Sequence, residues 1–441
     1  MTDFRNFFQK SKNLTALGSS YILSNAISAV FWLFLASILD VEQYGELGYL
    51  LAIVGTVGAF GLIGSNNTLT VYVAKGVKIQ ATIFLTTLIA GATLSIGLLI
   101  FTQNIFISFY PLALIIFSTV IFDLLGKKAF TDYGKYLVIQ RILMVTFALI
   151  FLEIWGVNGI IFGYTLSLGV FVFLTFKAFQ EGKIDFKLLK DRKKFILNSY
   201  GTHVLEVIGI NIDKLIIFPM FGALILGPYQ LGFQIFVVLM ILPNIVTQYT
   251  LPHDATGIKN KSLKKYTMII SGIITGLVVI LSPQLIPILF PKYIEAIEVI
   301  QIMGFALIPT ALTMILTSEL LGKENSKSVI LSNIIGIIAL IIGIVILGEI
   351  MGLLGLALSL VIGRILQCIS LLIFKNSFTL PKFDVSISFW EVAKTSIFIV
   401  FNESEIALPI PREPPKIIAL VINFTIFFIV FLCCYPIFKN Q

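Results

Sequence analysis

The chain is patterned as a succession of apolar runs, most about twenty residues long, between Leu14 and Phe438. A run of about 20 apolar residues crosses the roughly 30 Å hydrocarbon core of a bilayer as a helix. The pattern predicts helices over 14–38, 44–65, 80–102, 105–126, 137–155, 157–176, 196–220, 226–251, 266–290, 297–321, 328–348 and 351–374. Two more segments follow, 388–402 and 416–438. Glu391, Lys394 and Glu403 crowd the first of these, which reads either as a short span or as an interfacial helix. The polar stretches between runs are too short to fold as soluble domains. The expected class is an all-α polytopic membrane protein of 12–14 spans.

Composition agrees with this pattern: charged residues are 12% of the chain and mean hydropathy is +1.00, whereas about 25% charged is usual for soluble proteins. The net charge of +8 is explained by where the cations fall, and it does not point to nucleic acid. With the helices alternating, one side collects Arg5, Lys10, Lys12, Lys75, Lys78, Lys127, Lys128, Lys135 and the seven Lys/Arg of 177–195. The other side holds Asp40, Glu42, Glu46, Glu295, Glu298 and Glu349, with few cations. Lys- and Arg-rich loops stay in the cytoplasm, so the expected N-terminus is cytoplasmic and the expected location a cell (inner or plasma) membrane. The first run is of full spanning length behind a polar, basic start, and it reads as a retained helix. Cys368, Cys433 and Cys434 lie inside apolar helices with no metal-ligand spacing.

The basic segment 177–195 divides two similar halves. Leu125-Gly126-Lys127 recurs as Leu321-Gly322-Lys323, and Gly156-x-x-Gly159-x-x-x-Gly163 recurs as Gly352-x-x-Gly355-x-x-x-Ser359, both at a spacing of 196 residues. Halves with the same sidedness are parallel repeats, related by a pseudo-two-fold along the membrane normal. The expected organisation is a six-helix bundle over 1–176, a cytoplasmic basic linker over 177–195, a second six-helix bundle over 196–374, and an extension of one or two helices over 375–441. Small residues spaced by four permit close helix packing.

Three segments carry a family resemblance: Phe34–Asp40 with Tyr44-Gly45-Glu46-Leu47-Gly48; Asn211–Ile217 with Leu226-Gly227-Pro228-Tyr229; and Ile286–Tyr293 with Ala296-Ile297. Together they resemble the polysaccharide and O-antigen repeat-unit flippases of the multidrug/oligosaccharidyl-lipid/polysaccharide exporter superfamily, over about residues 10–375. The resemblance implies a MATE-like V of two six-helix bundles around a central cavity. The tail beyond 375 departs from the pattern, which leaves the final helix count open.

Ionisable groups inside spans are functional candidates by default. Helix 196–220 carries His203, Glu206, Asp213 and Lys214; helix 351–374 carries Arg364 near mid-depth; Arg141 lies one turn inside 137–155. A diphosphate-linked cargo needs cations facing water, and guanidinium grips phosphate with two parallel hydrogen bonds. Arg364, Lys214 and Arg141 are therefore the substrate-binding candidates. Asp213, Glu206 and His203 are candidates for a coupling proton or sodium ion. The alternatives are structural: Arg141 snorkelling to the interface, Asp213 and Lys214 tying helices together, and Glu206 and His203 bonding across a packed interface. Asp123, Glu153 and Glu319 fall near helix ends and read as interfacial.

The sequence holds no P-loop, no Gly-x-Ser-x-Gly and no zinc pattern, so ATP-driven transport within this chain is not expected. With the repeat and the resemblance, the expectation is a secondary transporter with no catalytic residues and no cofactor beyond a coupling proton or sodium ion. The leading expectation is a flippase that carries polyprenyl-diphosphate-linked oligosaccharide repeat units to the outer leaflet by alternating access. Its expected partners are that glycan, membrane lipids and other polysaccharide assembly proteins. A cation-coupled multidrug exporter of the same fold is the alternative. A membrane glycan polymerase or ligase is a third reading, weakened because no loop on the acidic side exceeds about fifteen residues.

Overall fold

The computed structural model describes residues 2–255, 260–323 and 325–376. The expected segments 388–402 and 416–438 lie outside the described residues, as do Cys433 and Cys434. Among the described residues every regular element is helical. The first stretch runs α1 (Thr2–Ile38), α2 (Val41–Gly61), α3 (Ser65–Ala74), α4 (Gln80–Thr102), α5 (Ile105–Ser108), α6 (Tyr110–Gly126), α7 (Phe130–Gly169), α8 (Val172–Glu181) and α9 (Phe186–Asp191). The second runs α10 (Lys193–Phe221), α11 (Ala223–Leu239), α12 (Ile241–Ala255), α13 (Lys261–Leu289), α14 (Ala296–Phe305), α15 (Leu307–Gly322), α16 (Ser326–Met351) and α17 (Leu353–Asn376).

Nine of the described helical stretches are long and apolar enough to cross a membrane, and ten if the bent pair α11 and α12 forms one span. One of the nine, Phe130–Glu181, is a hairpin whose arms meet at Trp155 and Gly156. Counted as two spans, and with the polar but 29-residue α10 added, it gives the twelve helices expected before residue 377. The chain is a multi-pass membrane protein.

Four expected boundaries change, each for a local reason. Helix 44–65 is broken: α2 ends at Gly61, Ile63 and Gly64 adopt positive φ, and α3 continues to Ala74. A Cβ on Gly64 would lie 2.5 Å from the Ile196 carbonyl oxygen, so α10 packs directly on the break. The linker 177–195 is largely helical, because α8 reaches Glu181 and the Asp185 carboxylate caps α9 by accepting from Lys187 N–H at 2.9 Å. Span 226–251 bends by 40° between α11 and α12, and span 297–321 divides at Ala306, three residues before Pro309.

The hairpin recurs. Gly156 (φ 57, ψ −138) and Gly352 (φ 58, ψ −133) turn the chain identically, 196 residues apart, in a region of backbone space that side chains disfavour. Just past each turn a second glycine lets the arms close. A Cβ on Gly159 would run into the Phe151 carbonyl oxygen, and one on Gly355 into that of Leu347, again 196 residues apart.

By packing, the chain forms two units: residues up to Ile38 with Glu46–Val207, and Leu39–Gly45 with the residues from Ile208 onward. The packing division thus falls inside α10. Leu39–Gly45 is a strap within the second unit. Asp40 pairs with Lys292 at 2.7 Å, and Tyr44 meets Tyr293 edge to face at 6.0 Å. A Cβ on Gly45 would strike the Ala223 carbonyl, and one on Gly227 that of Val41. The residues that carried the family resemblance therefore meet one another.

Candidate functional site

The second unit concentrates its buried charge where α10, α11, α16 and α17 pack. Asp213 and Lys214 are neighbours on α10, about 100° apart around the axis, yet the lysine folds back. Its Nζ donates to Asp213 Oδ1 at 2.9 Å, to Asp213 Oδ2 at 3.2 Å and to the Ile210 carbonyl at 2.8 Å. It also sits 3.5 Å from the centroid of the Phe233 ring, a favourable cation–π position. Asp213 accepts further from its neighbour's backbone N–H at 2.8 Å and from Tyr229 Oη–H at 2.9 Å. Asp213 is 1% exposed and Lys214 4%. A charge pair this enclosed persists because each partner satisfies the other; removing either would strand a buried charge.

Arg364 on α17 is held differently. It lies roughly 17 Å along the helix from Leu353, at 1.5 Å per residue. Its Nη1 donates to Gln367 Oε1 at 3.2 Å, and Gln367 Nε2 donates to Asn333 Oδ1 on α16 at 2.6 Å. Its Nε is buried without a hydrogen-bond partner among the described residues. Asp213 and Tyr229 lie within electrostatic range of its guanidinium. Among the described residues the one carboxylate Asp213 thus stands near two cations, paired with Lys214 and in electrostatic range of Arg364.

The remaining candidates sit elsewhere. Arg141 donates from Nη1 to Tyr164 Oη at 2.9 Å, and the Tyr164 ring packs on Tyr110 at 5.2 Å. The expected position of Arg141, one turn inside its helix, is corrected. The helix starts at Phe130, seven residues earlier than hydropathy indicates, so Arg141 lies about three turns from the helix start, where it bonds Tyr164. His203 Nδ1 lies 3.2 Å from Asn66 Nδ2 on α3. Glu206 is exposed. Among the described residues no contact joins either to Asp213 or Lys214, and the packing division at Val207 and Ile208 runs between them.

Sequence reasoning missed Tyr229, Phe233, Asn333, Gln367 and Tyr164. Gln367 was detectable as the polar residue one turn from Arg364; the others reach their partners only through tertiary packing. Glu153 is exposed, but the other two charges read as interfacial join networks. Lys127 pairs with Asp123 at 2.6 Å and with Glu181. Glu319 pairs with Lys264 at 3.1 Å and Lys375 at 2.7 Å, and Lys264 also holds Asp254 at 2.7 Å. Among the described residues no three His, Cys, Asp or Glu side chains converge to hold a metal ion.

No family model and no curated protein matches the sequence. Solved structures do match. The fold is similar to lipid II flippase MurJ in an inward closed conformation, with TM-score 0.69 and 14% identity over 96% of this chain and 99% of that one. It is also similar to an inward-facing multidrug resistance MATE transporter of the MOP superfamily, with TM-score 0.63 and 14% identity over 80% and 93% of the two chains. The chain has the MATE-like fold. A third similar structure is a MOP superfamily transporter from Pyrococcus furiosus described by the reversed polarity of its binding pocket (TM-score 0.56, 14% identity, 82% and 93% covered). The neighbours are transporters and flippases, and the fold they share with this chain is the one that the family resemblance implies.

Proposed function

We propose that this protein is a flippase that moves polyprenyl-diphosphate-linked oligosaccharide repeat units from the cytoplasmic to the outer leaflet of a cell membrane, with its N-terminus in the cytoplasm. The observation that carries the reading is Arg364. Among the described residues its buried Nε lacks a hydrogen-bond partner, and its charge stands beside an acid that already pairs with a lysine. An uncompensated cation in a spanning helix is costly unless it meets an anion or water, and a diphosphate is such an anion. The similarity to a lipid II flippase supports the same cargo class.

In this reading Arg364 grips the phosphate. Lys214 joins it when a proton or sodium ion at Asp213 takes the ammonium's place, which couples ion arrival to cargo binding. Asp213 suits the coupling ion better than His203, which Asn66 already holds, or Glu206, which is exposed. Arg141, which donates to Tyr164 in the first unit, has a structural role in this reading.

Depleting the protein in cells should make the lipid-linked glycan accumulate on the cytoplasmic side. Accumulation on the outer side would refute the flippase and favour a polymerase or ligase. The MATE neighbours support a second reading, a cation-coupled multidrug exporter. That reading requires depleted cells to retain cationic dyes while surface glycan stays normal.

A further inference from the structure

The basic segment between α8 and α10 does more than mark a membrane side. It roofs a cavity of about 370 Å³ in the first unit, within the size range of small-ligand sites. The walls come from the α2–α3 break, the first turns of α4, α9 and the start of α10: Ile63, Ile83, Leu189, Ile196 and Leu197, with Thr68, Thr86 and Thr87 between them. The threonines contribute methyl groups in place of hydrogen-bonding capacity, because each hydroxyl is spent on its own helix. Thr68 bonds the Gly64 carbonyl at 2.6 Å, Thr86 those of Thr82 and Ile83, and Thr87 those of Ile83 and Phe84. Ser65 also lines it, and apart from that hydroxyl the walls are greasy.

Its rim is not. Lys190 and Lys193 line the mouth, both are exposed, and among the described residues neither pairs with a carboxylate. They belong to the stretch 183–194, which holds six Lys or Arg against two Asp. The stretch is fixed in place rather than trailing. Asp185 N–H donates to Thr82 Oγ1 at 2.9 Å, and the Arg192 guanidinium lies 4.9 Å from the centroid of the Tyr72 ring, which Phe195 meets edge-on at 5.3 Å. Ile83 to Thr87 lie roughly 5–10 Å along α4 from its first residue; with that residue at the bilayer surface, they would meet the boundary between headgroup and acyl chain.

We propose that this groove is a binding site for one anionic phospholipid, its acyl chain against the isoleucine and threonine methyls and its phosphate on Lys190 and Lys193. Charge complementarity selects the occupant. An apolar cavity alone would take any chain, but two unpaired ammonium groups at its mouth discriminate for a negative headgroup, and a basic segment near a bilayer gains from anionic lipid. The lipid would seal the α2–α3 break and hold α9 against α4. This inference does not depend on the identity of the transported cargo.

The test uses the full-length protein, reconstituted in nanodiscs with equal phosphatidylglycerol and phosphatidylcholine, extracted, and examined by native mass spectrometry for retained lipid. One phosphatidylglycerol should be retained in preference to phosphatidylcholine. The double variant Lys190→Glu and Lys193→Glu should lower that retention on the order of tenfold or more. Thr86→Phe, which fills the groove and leaves both lysines, should lower it comparably. Leu197→Glu, at an exposed position of the wall, gives the same answer without demanding core fit. Equal retention of the two phospholipids, or full retention in the lysine double variant, would overturn the proposal. So would full retention in both groove variants, which would reduce the effect to surface charge. Displacement by free glycerol phosphate, or preference for a polyprenyl phosphate over phosphatidylglycerol, would overturn the assigned occupant.

Discussion

The two hairpins, one in each unit, share a backbone and differ in almost everything laid upon it. Both turn at a glycine with φ near 57°, and both close at a second glycine against a carbonyl eight residues back. The first is aromatic at its turn: Trp155 stacks on Phe151 at 5.3 Å and meets Phe162 edge-on at 5.5 Å. The equivalent positions in the second are Met351, Leu347 and Leu358. Where the first arms are joined by Gln140 Nε2 donating to Ser167 Oγ at 3.1 Å, the second have Gly336 and Gly363 in near backbone contact. The arginines have also changed arms. Arg141 occupies the position of Ile337, and Arg364 that of Leu168. A repeat thus preserves the geometry that lets helices approach, while the side chains in the gap are free to diverge.

The end networks show the same divergence. In the first unit a cation, Lys127, stands between Asp123 and Glu181; in the second an anion, Glu319, stands between Lys264 and Lys375. Asp123 and Glu319 are themselves 196 residues apart. The tie is kept and its polarity reversed.

The largest effect is expected from the shared geometry. Gly159→Leu and Gly355→Leu should each forfeit well over the roughly 3 kcal/mol of ordinary overpacking, seen as loss of monodisperse protein in detergent-extracted size exclusion. If one is tolerated and the other is not, the hairpins are not equivalent.

The next contrast separates glue from chemistry. Arg364→Ala should lower surface glycan export roughly ten- to hundredfold, the value of one or two charge-assisted hydrogen bonds, with the protein still inserted. Arg364→Lys should keep part of the activity, since it retains charge without the planar fork. Arg141→Ala should register instead mainly as a lower melting temperature. Normal export by Arg364→Ala would remove the functional side of the comparison.

Smaller differences are expected in the end networks. Lys127→Gln leaves two carboxylates facing each other without a cation, while Glu319→Gln leaves Lys264 its bond to Asp254. The first should destabilise by about 1–2 kcal/mol and the second by less, read from thermal unfolding. Equal losses would mean that the reversed polarity has no energetic consequence. The smallest effect belongs to Tyr164→Phe, which removes one hydroxyl from Arg141 and should cost about 1 kcal/mol.

The sequence displays those features whose cause is local. Gly156 and Gly352 were visible as a spaced repeat because a backbone turn of this kind demands glycine wherever it occurs. The spans were visible because a bilayer imposes length and apolarity. The α2–α3 break was not, because Gly64 turns under pressure from α10, whose carbonyl at Ile196 is 132 residues away. Arg141 was misplaced because Phe130–Tyr136, with Asp132 and Lys135, is too polar to register as a span but helical enough to extend one. At the candidate site, Arg364, Asp213 and Lys214 were found as charges in apolar surroundings. Their orientation was not, since Tyr229, Gln367 and Asn333 approach from other helices.

The strap Leu39–Gly45 has a consequence for biosynthesis. Its partners Ala223, Gly227 and Lys292 are encoded about 180–250 residues downstream. At about 5–20 residues per second, a ribosome delivers them roughly ten to fifty seconds after the strap has left the exit tunnel. Through that interval the first spans are in the membrane while Gly45 still lacks the backbone it must touch. The newborn protein thus waits, half made, for a clasp whose other side has not been translated.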